Sequence, residues 1–247
     1  IAYTHRKAPG LDIYFVSNQL DETRSLDVSL RVNGLTPQLW DAVTGEITPA
    51  SGWKVHDGRT LVPVTLPANG SIFIVLRRAG EPVKTAVSKK EEVKRVLKGP
   101  WTVQFDPALG GPAGPVTFDT LPDWSKQTDT AIRYYSGTAV YSKAFDWDGG
   151  KGRFWLDLGR VADIAAVRLN GIDCGVAWTA PYRVEVTKAL RRGANRLEIS
   201  VTNTWANRLT GDHRLPVDRR ITWTTAPYRL EGKLLEAGLM GDVYLIY

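Results

Sequence analysis

The region between residues 136 and 203 decides the fold. Residues 136–145 read SGTAVYSKAF, residues 168–171 read RLNG, residues 180–187 read APYRVEVT and residues 193–203 read GANRLEISVTN. In the last of these segments apolar and polar side chains alternate, with the two-residue period of a half-buried strand. The pair Asn170-Gly171 favours a tight hairpin, because both residues tolerate a positive φ. The region therefore predicts successive strands, each ended by a turn.

Composition places the chain among globular proteins. It has 247 residues, of which 43% are hydrophobic and 23% charged, enough for two modest domains or one large all-β domain. We expect no membrane span, because no apolar run approaches the roughly eighteen residues that one needs. The chain has no initiator Met and begins inside sequence that looks folded, so we expect it to be a fragment of a longer protein.

Charge and cysteine content narrow the function classes. The net charge is +6, but the basic residues are spread along the chain apart from a run between Lys84 and Lys98, and no nucleic-acid recognition motif accompanies them. We therefore expect no nucleic-acid partner. Cys174 is the only cysteine, which excludes an internal disulfide and a cysteine-based metal cluster. His213, next to Asp212 and close to Asp218, lacks metal-ligand spacing and is expected to be an exposed loop residue.

The strand signals predict two consecutive β-sandwich domains and hence an all-β fold. Residues 1–80 carry short strands with regular turn signals, which are typical of a sandwich. Residues 81–98 are polar and mostly basic, and we interpret them as a linker. Residues 99–247 form the second domain, with strands expected at 101–105, 138–145, 154–158, 166–170, 182–186, 196–202 and 242–246. Its two long irregular stretches, 106–135 and 205–241, are expected to be functional or to pack against another domain.

The order of strands and turns from residue 136 to 203 resembles the galactose-binding-like jelly roll attached to many glycoside hydrolases, including family 2 β-galactosidases and β-glucuronidases. A more specific resemblance is to the C-terminal region of glycoside hydrolase family 106, the calcium-dependent α-L-rhamnosidases. It rests on the segments GPWTVQF (99–105), GGP (110–112), LPDW (121–124), RYYSGTA (133–139), NTWANRLTGD (203–212), TWTT (222–225) and GLMGDV (238–243). The first domain carries a weaker likeness, in YFVSN (14–18) and LWD (39–41).

The resemblance implies a large bacterial enzyme, periplasmic or secreted, whose catalytic (β/α) barrel precedes residue 1. The barrel of an inverting enzyme supplies an acid and a base carboxylate, and in this family it also holds the calcium. Nothing in this chain matches the barrel motifs, so the chain alone is expected to be non-catalytic and to need no cofactor. A structural calcium bound by loop oxygens stays open, although no EF-hand spacing is present.

The segment from Asn203 to Arg208 looks most like a binding site. Trp205 supplies a flat ring that could stack on a pyranose, and Asn207 and Arg208 supply hydrogen-bond donors for hydroxyl groups. The alternative is that Trp205 plugs the end of the sandwich while Asn207 and Arg208 tie down the long loop. The full set of candidate carbohydrate-binding residues is Trp124, Trp178, Tyr182, Trp205, Asn207, Arg208, Asp212 and Trp223.

Other aromatic and acidic residues receive structural interpretations. Trp40, Trp101 and Trp155 lie in strand-like runs and are expected in the cores. The acidic residues that could form a catalytic pair by type are expected to be turn formers or exposed charges; they are Asp106, Asp119, Asp123, Asp157, Asp163 and Asp212.

Three functions are compatible with the sequence. The favoured one is a non-catalytic accessory region, carbohydrate-binding or scaffolding, of an α-L-rhamnosidase-like enzyme acting in polysaccharide degradation. Its partners would be a carbohydrate and the preceding barrel of the same protein. The second is a purely structural interdomain module without sugar affinity, and the third is an independent glycosidase. Fold class does not decide among them, since jelly rolls serve all three.

Overall fold

Two separate hydrophobic cores divide the chain into two units, Ile1–Glu91 and Glu92–Tyr247. The computed structural model describes residues 1–80, 92–225 and 233–247. Both units are built from antiparallel strands that form two facing layers, so the predicted all-β class with two β-sandwiches is confirmed.

The first unit is made of eight short strands. They are β1 (Ala2–Ala8), β2 (Leu11–Ser17), β3 (Arg24–Leu30), β4 (Leu35–Trp40), β5 (Ile47–Pro49), β6 (Lys54–His56), β7 (Arg59–Leu66) and β8 (Ser71–Ala79). One sheet has the order β1-β2-β8-β4-β5 and the other the order β3-β7-β6. Their inward side chains, among them Val16, Leu30, Val62 and Ile74, are buried and pack together in one cluster.

The second unit contains twelve strands in the residues described. They are β9 (Lys94–Val96), β10 (Trp101–Gln104), β11 (Val116–Phe118), β12 (Thr138–Trp147), β13 (Trp155–Asp157), β14 (Arg160–Ala162), β15 (Ile164–Leu169), β16 (Ile172–Ala177), β17 (Arg183–Glu185), β18 (Gly193–Thr202), β19 (Gly238–Met240) and β20 (Tyr244–Ile246).

The larger sheet of this unit, β11-β10-β12-β18-β15-β16, faces the smaller sheet β17-β13-β20-β9, and β14 pairs with β19. In β18 the predicted alternation is confirmed, because Leu197, Ile199 and Val201 are fully buried. The predicted hairpin joins β15 to β16, with φ of 54° at Asn170 and 80° at Gly171. These strands place the end of β18 beside the start of β15 and of β12.

The two long stretches predicted to be irregular contain short helices. Helix α1 (Thr130–Arg133) and three single 3₁₀ turns, at Pro107–Leu109, Trp124–Lys126 and Val217–Arg219, accompany the two-turn helix α2 (Ala206–His213). Five residues of α2 are buried, and they are polar or glycine: Asn207, Arg208, Thr210, Gly211 and Asp212. Hydrophobic periodicity cannot reveal such a helix, since its buried face is not apolar.

The predicted linker extends too far at its C-terminal end. Lys94–Val96 is strand β9, which pairs with β20 at the edge of the smaller sheet. These residues therefore belong to the second unit, because their backbone groups form hydrogen bonds with β20. Residues 81–91 lie outside the described part of the chain. In the part that is described, no helix has the length and apolar character needed to cross a membrane.

Trp101 lies in the core as predicted, with 2% of its surface exposed. Trp40 and Trp155 are only half-buried, and each is covered by an arginine, Arg77 at 5.2 Å and Arg153 at 5.1 Å from the ring centroid. Each of these two indole rings therefore packs against a guanidinium group.

Candidate functional site

Helix α2 begins immediately after Trp205, where the chain leaves β18. The side chain of Asn203 anchors this exit, accepting a hydrogen bond from the Gly137 backbone N–H (2.9 Å) and donating one to the Tyr135 carbonyl (2.9 Å). The backbone N–H of Arg208 donates to Ser136 Oγ at 3.1 Å. The start of the helix is thus held against the loop that precedes β12.

A buried ion pair holds the inner side of α2. Arg208 Nη2 lies 2.8 Å from Asp212 Oδ1, one helical turn away, and both side chains are almost completely buried. The contact does not have hydrogen-bond geometry, and Arg208 Nε also has no partner among the described residues. Replacing one partner of such a pair strongly destabilises a protein, because the remaining charge is left buried and unpaired.

Asp212 also fixes the segment that follows the helix. Its Oδ2 accepts hydrogen bonds from the backbone N–H of Ile221 (3.0 Å) and of Thr222 (2.7 Å), and from Thr222 Oγ1 (2.7 Å). One carboxylate therefore brings Thr222, and with it Trp223, alongside the helix that starts after Trp205.

Asn207 clamps α2 to a third segment. Its Nδ2 donates to the Leu235 carbonyl at 2.7 Å, and its Oδ1 accepts from the Leu235 N–H at 2.8 Å. The reciprocal pair satisfies both backbone groups of a loop residue that would otherwise lack partners. Of the two interpretations of Asn207 and Arg208, the contacts match the tying-down of the long loop.

These contacts position a shallow groove of about 420 Å³ on the surface of the second unit. Its lining residues are Trp205, Leu209, Thr222, Trp223 and Thr224. Trp205 is 50% exposed and Trp223 is 82% exposed, so both rings are accessible while the residues that hold them are buried. The two accessible indoles can stack on a sugar ring, and Thr222 Oγ1, whose proton is donated to Asp212, can accept a hydrogen bond at the edge of that ring.

Trp124 does not belong to this surface, which corrects its assignment as a binding residue. It is fully buried, and its Nε1 donates to the Tyr141 hydroxyl at 2.7 Å. Its ring also contacts Phe105 and Tyr135 edge to face. The indole is thus part of an aromatic core. Its N–H can be buried there because the Tyr141 hydroxyl accepts its hydrogen bond.

Arg208, Asn207 and Asp212 are likewise inaccessible to a ligand in this structure, since each is at most 6% exposed. Their part in the groove is to position it. Trp178 is 57% exposed and follows β16, but it does not line the groove. Tyr182 is half-buried and packs against the core of the second unit.

The acidic residues considered as a catalytic pair mostly hold backbone groups or an arginine. Asp106 caps the 3₁₀ turn at Pro107–Leu109, and Asp163 accepts from the Thr204 N–H. Asp157 accepts from the Gly159 N–H and from Arg183, while Asp119 is exposed. Across the described ranges no three His, Cys, Asp or Glu side chains come together as a metal site, and His213 is exposed at the end of α2.

Asp123 is a buried acid whose ionisation the fold favours. Burial opposes its charge, but hydrogen bonds from the Ser125 hydroxyl and from the N–H groups of Ala237 and Ser125 outweigh burial and hold its pKa below the ordinary 3.8. Asp123 therefore links the 3₁₀ turn at Trp124–Lys126 to the segment before β19 through a carboxylate that is ionised at neutral pH.

Three groove residues were not found from sequence, Leu209, Thr222 and Thr224. A signal for Leu209 existed, because it lies four residues after Trp205 and one helical turn brings such residues to the same face. Using it required knowing that residues 206–213 are helical. Thr222 is placed by its hydrogen bonds to the distant Asp212, and sequence spacing holds no sign of that contact.

Comparisons with known proteins match both units to glycoside hydrolase families. Residues 1–54 match the family model described as alpha-L-rhamnosidase. Residues 120–245, about half of the chain, match the model described as glycosyl hydrolase 2 galactose-binding domain-like. Both resemblances predicted from the sequence are confirmed.

Two individual proteins extend these matches. The solved structure of a rhamnosidase from Novosphingobium sp. PP1Y has a TM-score of 0.88 and 39% identity over 99% of this chain, and the chain covers 23% of that structure. A protein of Formosa agariphila named "Putative beta-glucuronidase" is 44% identical over 127 residues, which are 50% of this chain and 11% of that protein. This chain therefore spans less than a quarter of either relative.

Proposed function

This glycoside-hydrolase-related chain belongs to the glycosyl hydrolase 2 galactose-binding domain-like family through its residues 120–245, and we propose that it is a carbohydrate-binding accessory region of an α-L-rhamnosidase-like enzyme. In this proposal the groove beside α2 binds a neutral sugar of a polysaccharide substrate, outside the cell or in the periplasm. The catalytic residues lie in another part of the same protein, and that part is the chain's partner.

The observation that carries the proposal is the pair of exposed indoles, Trp205 and Trp223, in one groove. Leaving two large aromatic surfaces in water forgoes the stabilisation that burial provides. Here the backbone near each ring is held by hydrogen bonds to side chains, from Arg208 N–H to Ser136 Oγ and from Thr222 N–H to the buried carboxylate of Asp212. Such an arrangement is typical of a binding surface set on a rigid support.

The acidic residues support a non-catalytic role. Glycosidases need two carboxyl groups separated by roughly 5–9 Å and free to reach the glycosidic bond. In the second unit the carboxylates of Asp106, Asp123, Asp157, Asp163 and Asp212 accept hydrogen bonds from backbone N–H groups. They act as structural acceptors in turns and caps.

The test is calorimetric titration of this chain with oligosaccharides that contain rhamnose or galactose. We expect saturable binding in the wild type and an affinity roughly ten-fold lower in Trp223→Ala, because a stacked ring contributes about 1 kcal/mol or more. Trp205→Ala should weaken binding similarly, since its ring forms the other side of the groove.

Trp178→Ala is the matched control, because Trp178 is exposed to a similar extent but lies outside the groove lining. Its affinity should equal that of the wild type. Absence of heat up to millimolar sugar would contradict the proposal and favour the purely structural module, in which the two indoles pack against another domain. Turnover by the isolated chain would favour the independent glycosidase.

A further inference from the structure

A second cavity lies in the first unit, between β1 and β2 of one sheet and β3 of the other, and we call it the β1–β3 cavity. Its volume is about 330 Å³, at the small end of the range for ligand pockets. Tyr3, His5, Tyr14, Ser29, Arg31 and Arg59 contribute its polar and aromatic lining, and aliphatic side chains form the rest. β1 and β3 are edge strands, so the cavity opens at the edge of the sandwich.

Tyr14 presents an unused hydrogen-bonding group at this cavity. The residue is 4% exposed, and no group among the described residues meets the distance and angle of a hydrogen bond to its hydroxyl, although the Arg31 backbone N–H is near enough to oppose the rise in its pKa. Burial raises the pKa of Tyr14, so the phenol is protonated at neutral pH and can donate. A buried polar atom without a partner is uncommon and is a sign of a missing ligand or water.

The aromatic wall is rigid. The His5 ring stacks on the Tyr14 ring at 4.0 Å between centroids, and His5 Nε2 is hydrogen-bonded to Asp12 Oδ1 at 2.7 Å. The contact with His5 occupies one carboxylate oxygen of Asp12. The opposite side is cationic, because Arg31 and Arg59 both line the cavity.

Arg59 is held in place by its own contacts. Its Nε donates to Ser29 Oγ at 2.7 Å and its Nη2 donates to the Ser29 carbonyl at 3.0 Å. These bonds use two of the five N–H donors of a guanidinium. Neither Arg31 nor Arg59 forms an ion pair with a carboxylate of the described residues. Two guanidinium groups without a counterion favour an anionic ligand, and their planar donors suit a carboxylate.

From these observations we propose that the β1–β3 cavity binds a monosaccharide-sized ligand that carries a carboxylate, such as a hexuronate. The carboxylate would accept from Arg31 and Arg59, a ring hydroxyl would accept from Tyr14, and the sugar face would lie against the aliphatic side chains. This site is separate from the groove beside α2, and it does not depend on the function proposed for that groove.

The experiment titrates the full chain with galacturonate, with galactose and with acetate. Galacturonate carries a carboxylate where galactose carries a hydroxymethyl group. Acetate supplies the carboxylate without the sugar ring. We expect galacturonate to bind in this cavity at least ten-fold more tightly than either, because it alone satisfies both the cationic and the aliphatic sides. Equal affinity for galacturonate and galactose, or for galacturonate and acetate, would overturn the proposal.

Two variants locate the site. Arg31→Gln should weaken galacturonate binding about ten-fold. Tyr14→Phe should weaken it about five-fold. Because Tyr14→Phe keeps the ring stacked on His5 and removes an unsatisfied hydroxyl, its thermal stability without ligand should be no lower than that of the wild type.

Trp223→Ala separates this proposal from the previous one. It should leave the affinity for galacturonate unchanged and lower the affinity for neutral oligosaccharides at the groove. Loss of galacturonate affinity in Trp223→Ala, with full affinity in Arg31→Gln, would place the anion in the groove and overturn the assignment to the β1–β3 cavity.

Discussion

Asp123 shows how one side chain can link the stability of the second unit to pH. Its carboxylate accepts from Ser125 and Ala237, and its pKa in the folded state is below 3.8. A depressed folded-state pKa contributes stability at pH values above the unfolded-state pKa. That contribution is lost as the pH falls through the folded-state pKa.

We predict that Asp123→Asn lowers the free energy of unfolding by about 1–2 kcal/mol at neutral pH, because charged acceptors form stronger hydrogen bonds than neutral ones. The difference between wild type and variant should shrink as the pH is lowered below about 3.8. Urea unfolding of both proteins at a series of pH values measures it.

Ser125→Ala is the companion variant for this prediction. It removes a hydrogen bond that lowers the pKa of Asp123, so the acid-induced loss of stability should begin at a higher pH than in the wild type. A constant difference between wild type and Asp123→Asn from neutral to acid pH would contradict the proposed linkage.

Residue type alone did not separate the tryptophans. Trp124 and Trp223 both lie in stretches without a strand pattern, yet Trp124 is fully buried and Trp223 is 82% exposed. The difference comes from partners that are distant in sequence, since Tyr141 accepts from Trp124 and Asp212 holds the residue before Trp223. Local sequence contains neither contact.

Helix α2 is the element on which the groove depends, and its close fit to Tyr134 can be tested. A Cβ added at Gly211 would lie 2.6 Å from Tyr134 Cγ and 2.7 Å from its Cβ. Those atoms are near the backbone and cannot move aside cheaply. The gain in helix propensity from alanine, up to about 1 kcal/mol, is therefore exceeded by the cost of overpacking.

We predict that Gly211→Ala destabilises the protein by about 1–2 kcal/mol and weakens sugar binding at the groove, because α2 must shift away from Tyr134. Chemical unfolding and calorimetry measure the two effects. Gly114→Ala is the control, since a Cβ there meets no atom within 4 Å and φ is not in the left-handed region; its stability should change by less than about 0.5 kcal/mol. Wild-type stability in Gly211→Ala would show that the helix is not tightly packed.

The strands were predictable at the level of elements because each carries its own pattern. Residues 196–202 alternate, and the structure gives Gly193–Thr202 as β18. The turn Asn170-Gly171 lies where a positive φ was expected. Helix α2 was not predicted, because its buried face consists of polar residues whose partners come from three other segments.

For the whole molecule, the two separate cores predict two unfolding events. Ile74 in the first unit and Ile199 in the second are both fully buried. Replacing either with alanine leaves a cavity and should cost about 2–5 kcal/mol within its own unit.

Ile74→Ala and Ile199→Ala should therefore each lower the midpoint temperature of a different unfolding transition by several degrees. Differential scanning calorimetry measures both transitions. The two substitutions are chemically identical, so each serves as the control for the other. If both variants lowered one shared transition equally, the two cores would be unfolding as a single cooperative unit.

The sequence by itself determined the class, the two sandwiches and the family resemblance, because strand alternation and turn residues are local properties. Tertiary structure decided which aromatic side chains are accessible, and it formed both the groove beside α2 and the β1–β3 cavity. Each of these is assembled by contacts between residues far apart in sequence, such as Arg208 with Ser136 and the two edge strands around Tyr14. The free energy of those contacts depends on burial and on hydrogen-bond geometry, which exist only once the chain has folded.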